Sequence, residues 1–162
     1  MTTPENGRTG PVIVVGVDGS PAGDAALRWA VAEATQRHGT VRAVSVRQPP
    51  QLMPATSYTL QPRGLRQPER DDVEWAHWLR ERIDTAQAGI DDAAHVTAIM
   101  LLGDPADELH RIAEDAELLV VGGHGQGPLA EVFLGSVAAA SVRHAPCPIV
   151  VIPTAVATAA TE

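Results

Sequence analysis

The residues best placed to do chemistry in this chain are glycines. Gly122-Gly123-His124-Gly125-Gln126-Gly127 directly follows the apolar run Leu118-Leu119-Val120-Val121, and Gly135-Ser136 opens a small-residue stretch that ends at His144. The apolar run reads as a buried strand and the later stretch as a helix. Glycines after a strand let backbone N–H groups come close to an anion, because no Cβ stands in the way. A helix start adds unpaired N–H donors, here in the turn of Ser136 and Val137, and the positive end of a dipole. Written as Gly122-x2-Gly125-x9-Gly135-Ser136, the two devices together describe a phosphate cradle, with Gly127 and His124 inside its loop. The competing reading is a tight connection built only for packing, with Ser136 as a plain helix cap.

Asp18-Gly19-Ser20 is a second loop of ligand type. Asp18 is either an acid facing a ligand or a turn residue bonding its own backbone. Ser20, Asp104 and Pro105 read first as helix caps and helix starts. His124 reads as a solvated loop histidine, with a phosphate contact through a ring N–H as the functional alternative. His144 and Cys147 do not make a metal site, since two ligands separated by prolines cannot close a coordination shell. Cys147 reads as a small hydrophobe.

The elements that must position these loops follow from periodicity. Val12 to Val17 is apolar throughout and reads as a strand covered on both faces. A helix runs from Pro21 to about His38, with Leu27, Ala30, Val31 and Ala34 on one face, and Gly39 stops it. Val41 to Arg47 is a second strand. Residues 48–67 are proline-rich and aperiodic and read as an exposed excursion. Asp71 to Gln87 is a helix, Val96 to Leu102 a strand, Asp104 to Ala116 a helix, Leu118 to Val121 a strand, Ser136 to His144 a helix and Ile149 to Ile152 the last strand. Trp29, Trp75 and Trp78 fall on helices at the edge of the core, and the acidic run Glu69 to Glu74 is a solvated helix start. Residues 1–10 and 154–162 read as flexible tails around one domain, 11–153. Strands alternating with helices predict an α/β protein whose parallel sheet has helices on both faces.

Composition bounds the partners. The chain has 162 residues, 44% apolar and 20% charged, with a formal net charge of −8. That balance argues against nucleic acid, which needs a basic footprint. All 12 basic residues are arginines, so no lysine is available for a P-loop, a Schiff base or a phosphate clamp. The single cysteine suits a reducing compartment. The polar N-terminus lacks an apolar signal core, and no run of roughly 18 apolar residues suggests a membrane span. A cytoplasmic protein is expected.

Ligands of doubly wound sheets sit at the carboxyl ends of strands where strand order reverses. If the first and fourth strands are neighbours, one crevice serves both loops. A dinucleotide fingerprint begun at Gly16 fails, because Asp18 and Pro21 stand where glycines are needed. A phospho-receiver fails for want of a lysine.

Four stretches then carry a resemblance. They are Val14-Val15-Gly16-Val17-Asp18-Gly19-Ser20, Gly103-Asp104-Pro105, the spaced glycine pattern, and Pro146-Cys147-Pro148-Ile149-Val150-Val151-Ile152. Over residues 11 to 153 the chain resembles a single-domain universal stress protein of the ATP-binding branch, with the adenine nucleotide alpha hydrolase-like fold. The resemblance implies a five-stranded parallel sheet of order 3-2-1-4-5 and ATP, with Mg, in the crevice. It puts Asp18, next to Gly19 and Ser20, near the ribose, the phosphates and a nucleotide-bound Mg. It sets the backbone of Val46 against the adenine and Gly122, Gly125, Gly135 and Ser136 against the phosphates. It makes the strand Ile149, Val150, Val151 and Ile152 the place where a homodimer pairs. Gly123 departs from the family, where a serine is common, and Pro128 removes one backbone N–H.

The expected function is an adenine-nucleotide-binding stress-response regulator that acts as a homodimer and shows an altered surface to a protein partner. The alternatives are a slow ATPase or phosphoryl- or nucleotidyl-transfer enzyme, and a nucleotide-free dimeric stress protein. Phosphoryl transfer needs charge stabilisation and an oriented nucleophile, and the glycine loop carries no arginine.

Overall fold

The structure, a computed structural model, describes residues 10–49, 68–124 and 134–153. Its elements are β1 (Val12–Gly16), α1 (Pro21–Gln36), β2 (Thr40–Arg47), α2 (Pro68–Gln87), β3 (His95–Leu102), α3 (Pro105–Ile112), β4 (Leu118–Gly122), α4 (Ser136–His144) and β5 (Ile149–Ile152). All strand pairs are parallel and the order is β3-β2-β1-β4-β5. The order reverses between β1 and β4, which puts the carboxyl ends of those two strands side by side.

The continuous apolar run of β1 is explained by its burial on two sides. Ile13 and Val15 point into a core shared with Leu27, Ala30 and Ala34 of α1 and Leu79 and Ile83 of α2. Val14 points the other way, with Val44, Leu109, Ala113, Leu119, Val121 and Ala138. Thus α1 and α2 cover one face of the sheet, and α3 and α4 the other. Each fully buried Leu or Val contributes on the order of 1.5–3 kcal/mol. Trp75 is buried as well, donating its indole N–H to Ser45 Oγ at 2.9 Å. Trp29 and Trp78 pack at the edge of that core.

Element ends differ from the periodicity in physically instructive ways. β1 leaves the ladder at Gly16, although Val17 still donates to the Val44 carbonyl at 2.8 Å. α1 ends at Gln36, and the left-handed residue that turns the chain is His38 (φ 55) rather than Gly39. Gly39 is there for closeness: a Cβ would meet the Pro11 carbonyl oxygen at 2.2 Å. α2 begins earlier, at Pro68. α3 ends at Ile112, where the Ala113 N–H turns back to the Leu109 and His110 carbonyls. Residue Gly10, assigned to the tail from sequence, is tied by its N–H to the His38 carbonyl at 3.1 Å. Among the described residues no helix is long and apolar enough to cross a membrane.

Candidate functional site

The carboxyl ends of β1 and β4 open into a cleft of about 210 Å³. Gly16, Val17 and Asp18 form one wall and Val121 and Gly122 the next. Val44 and Val46 come from β2, Pro105 and Leu109 from α3, and Val137 from α4. Asp18, Val46, Gly122 and Val137 were legible as site residues in the sequence. Gly16, Val17, Val44, Leu109 and Val121 were not, because they read as parts of strands or as helix core, and Pro105 read first as a helix start. Two signals could have found some of them: Val44 lies two residues from Val46 on the same strand face, and Pro105 follows the capping Asp104.

Local chemistry fixes Asp18. Gly19 has φ +83, a conformation that glycine adopts without strain, and this turns the chain back so that Asp18 Oδ1 accepts from both Ser20 N (2.9 Å) and Ser20 Oγ (2.6 Å). Ser20 Oγ in turn accepts from Gly23 N at 3.0 Å and caps α1. Ser20 is 1% exposed and its one proton is committed to Asp18, so its longer approach to the His124 carbonyl, 3.4 Å, is secondary. Ser20 is therefore a cap beneath the site and does not line it. Asp18 is exposed, and its Oδ2 makes no hydrogen bond among the described residues. It is the single charged side chain among the described residues lining the cleft.

Val46 presents backbone to the cleft. Alternate residues of a strand direct their N–H and C=O groups to opposite neighbours. Val44 accepts from Val17 on the β1 side, so Val46 points the same way, beyond the end of β1. Its donor and acceptor are unpaired on that side among the described residues. They form a short polar edge in an otherwise apolar wall of Val44, Leu109, Val121 and Val137.

Gly122 has a packing reason to be glycine. A Cβ there would meet Ala22 C and Gly23 N at 2.8 Å, so β4 and the first turn of α1 approach too closely for any side chain. The base of the glycine loop is pinned: Gly123 N donates to the Ile152 carbonyl and Gly135 N to the Gly123 carbonyl, both at 2.7 Å. Gly135 is the N-cap of α4 and supplies no side chain to cap it. Ser136 is the first helical residue, exposed, and not a cap. Contrast α1 and α3, whose first-turn N–H groups are taken by Ser20 and by Asp104; Asp104 Oδ1 accepts from Ala106 N (3.0 Å) and Asp107 N (3.1 Å). The first-turn donors of α4 beside Val137 have no side-chain cap among the described residues. Gly125 and Gly127 lie outside the described residues. Cys147 packs half-buried against the α3/α4 core, and burial pushes its thiol pKa up. Ile149, Val150, Val151 and Ile152 form β5 at one edge of the sheet, with Val150 and Val151 half-buried.

A five-stranded parallel sheet of this order defines a doubly wound α/β protein, and its cleft lies at the switch point beyond β1 and β4. Residues 11–153 match the model of the universal stress protein family, and the chain belongs to that family. It is 32% identical over 153 residues to Universal stress protein Rv1996 of Mycobacterium tuberculosis, a match covering 87% of this chain and 47% of that protein. The chain thus spans about half the length of the curated relatives it matches. Universal stress protein UspA from Lactobacillus plantarum has a similar structure: TM-score 0.66, 27% identity, 88% of this chain and 97% of that one. A universal stress protein solved in complex with cAMP shares the fold, with TM-score 0.62 at 22% identity over 90% of this chain and 98% of that one.

Proposed function

We propose that the cleft binds an adenine nucleotide, ATP with Mg, and that the protein is a cytoplasmic regulator of the stress response acting as a homodimer. One observation carries this reading. The unpaired backbone edge of Val46 and the uncapped first turn of α4 open on the same apolar cleft. A flat base between Val44, Leu109 and Val121 would find a donor and an acceptor at one end. A phosphate would find N–H groups and a positive dipole end at the other. The residues also suit a nucleotide-bound Mg: Asp18 Oδ1 is held by Ser20, and Oδ2 is left over for a cation. Roles for Gly19, His124, Gly125, Gly127 and Ser136 in holding the phosphates belong to the same proposal. That a protein of this fold has been solved with cAMP supports the ligand class.

A binding role is favoured over an evolved enzyme because the sequence has no lysine and the described residues lining the cleft include no cationic side chain, while phosphoryl transfer depends on such stabilisation. For the dimer, β5 is an edge strand among the described residues and carries half-buried valines. The glycine loop is pinned to Ile152 of that strand, so ligand and partner surface are adjacent.

The test is to denature the purified protein, chromatograph the released small molecules and titrate the emptied protein with ATP and Mg. A Val46→Pro variant removes the cleft-facing donor without costing a ladder bond. Nucleotide retained by the parent and lost by the variant, at similar melting temperatures, supports the reading. A parent that neither carries nucleotide nor is stabilised by ATP refutes it, and release of ADP over many turnovers per minute moves the assignment to an ATPase.

A further inference from the structure

The peptide edge of Val46 lies where the sheet narrows. β1 pairs with β2 only as far as Gly16 and Val44, whereas β2 and β3 stay paired through Arg47 and Leu102. Among the described residues, Ser45, Val46 and Arg47 therefore belong to a two-stranded ribbon that extends past β1. Such ribbons twist more than wide sheets do. The twist of this one decides where the Val46 N–H and carbonyl point.

Side chains of a strand alternate between faces. Val44 and Val46 line the cleft, so Ser45 and Arg47 face α2. Both meet the same side chain there. The Trp75 indole N–H donates to Ser45 Oγ at 2.9 Å, and the Arg47 guanidinium carbon lies 4.3 Å from the centroid of the Trp75 ring. Trp75 and Ser45 are both buried, which shields the bond between them from water. On the β3 side the Arg47 carbonyl accepts from Gly103 N at 3.0 Å. The two chain neighbours of Val46 are thus fixed by Trp75 from the α2 face and by β3 from one side. An aliphatic residue at position 75 would fill the same space, but it could neither donate to Ser45 nor stack on the guanidinium. We propose that Trp75 is a positioning residue for the cleft: from the opposite face of the sheet it sets the angle at which the Val46 peptide edge meets the base, and with it the preference for adenine. This rests on the reading of the cleft as an adenine-nucleotide site.

The test uses the base pattern itself. Adenine offers a donor at its 6-amino group and an acceptor at N1, which a peptide carbonyl and N–H complement; hypoxanthine offers the reverse at both positions. The nucleotide-free full chain is titrated with MgATP and with MgITP, and the parent should bind ATP more tightly. Trp75→Phe keeps a ring but loses the N–H. It should lower ATP affinity by roughly three- to tenfold and move ITP by less than about twofold. Ser45→Ala removes the other end of the same bond and should act alike. Arg47→Gln, at an exposed position, removes the stack without risk to the fold and should narrow the ratio of ATP to ITP affinity by at least about twofold. Loss of its charge would touch both nucleotides equally and leave that ratio alone. Variants that keep the parent's ratio, whether affinity stays the same or falls equally for both nucleotides, overturn the proposal and leave the adenine reading standing. A parent that binds ATP and ITP alike overturns it together with the base contact of Val46, and a parent that binds neither removes the site itself.

Discussion

Replacing Gly135 by Asp separates the stability of α4 from its use. Gly135 is the N-cap, with φ −59 and ψ 156, an extended conformation open to any residue. An aspartate there would accept from the N–H groups of Val137 or Ala138, the donors proposed for a phosphate. The cap adds a few tenths of a kcal/mol over glycine, the less flexible unfolded chain about 0.4–1 kcal/mol and the carboxylate at the dipole about 0.3–1 kcal/mol. The sum is about 1–2 kcal/mol, or roughly 3–6 °C in Tm for a chain of this size. The same carboxylate would stand about 4 Å from a bound phosphate. At an effective dielectric near 20 that repulsion is up to about 4 kcal/mol per charge pair, and solvent at the open cleft reduces it to roughly 2–4 kcal/mol. ATP affinity should therefore fall by roughly 30- to 1000-fold while the protein melts higher. Gly135→Asn, which caps without charge, should lose only about fivefold. Titration calorimetry with MgATP and a thermal melt on each variant read both quantities. An aspartate variant that melts higher and binds ATP as the parent does would refute the placement of the phosphate at α4. One that melts lower would refute the geometry of the helix start.

Gly122→Ala should cost about 1–3 kcal/mol and lower Tm by roughly 3–10 °C, because its Cβ would press on backbone atoms of Ala22 and Gly23 that cannot yield; an unchanged melt would remove the packing argument. Arg42 Nη1 donates to Asp115 Oδ1 at 2.6 Å and Nη2 to Oδ2 at 3.1 Å, and this hydrogen bonding holds the Asp115 pKa below its ordinary value. A lowered carboxylate pKa stabilises the fold above the unfolded value and loses that contribution as pH falls through the folded one. Asp115 is more than half exposed, so Asp115→Asn should cost no more than about 1 kcal/mol at neutral pH. In urea melts the gap to the parent should close on acidification below the usual carboxylate range, and a gap independent of pH would contradict the pairing. Val150→Arg should convert a dimer paired through β5 into a monomer by light scattering with its melt retained, and an unchanged mass would move the interface elsewhere.

Local chemistry was legible in residue order alone. Ser20-Pro21 and Asp104-Pro105 announce helix starts, and both are caps in the structure. The unbroken valine run of β1 announces a strand covered on two sides, and alternate residues do enter two separate cores. The glycine spacing announced the β4 crevice, and the resemblance it carries named the sheet order. Helix ends were less legible, because His38 turns the chain where Gly39 was expected to, and past Ile112 the Ala113 and Ala116 N–H groups reach the His110 and Ala113 carbonyls, three residues back.

Tertiary structure alone decided which chemical groups face the cleft. Ser20 and Asp18 are neighbours in sequence, yet burial commits the hydroxyl to Asp18 and the helix start, while the carboxylate stays at the rim. Gly122 looks like a residue freed for a ligand, but its missing Cβ also makes room for the backbone of α1. Val46 has an apolar side chain, and only the early end of β1 leaves its peptide group unpaired among the described residues. The Arg82 guanidinium, stacked on Trp78 of its own helix, meets the Asp24 carboxylate only because α1 and α2 pack side by side. Sequence fixes local preferences because they depend on a few neighbouring residues. Which polar groups are already paired depends on partners far away in the chain, and only the assembled sheet brings them together.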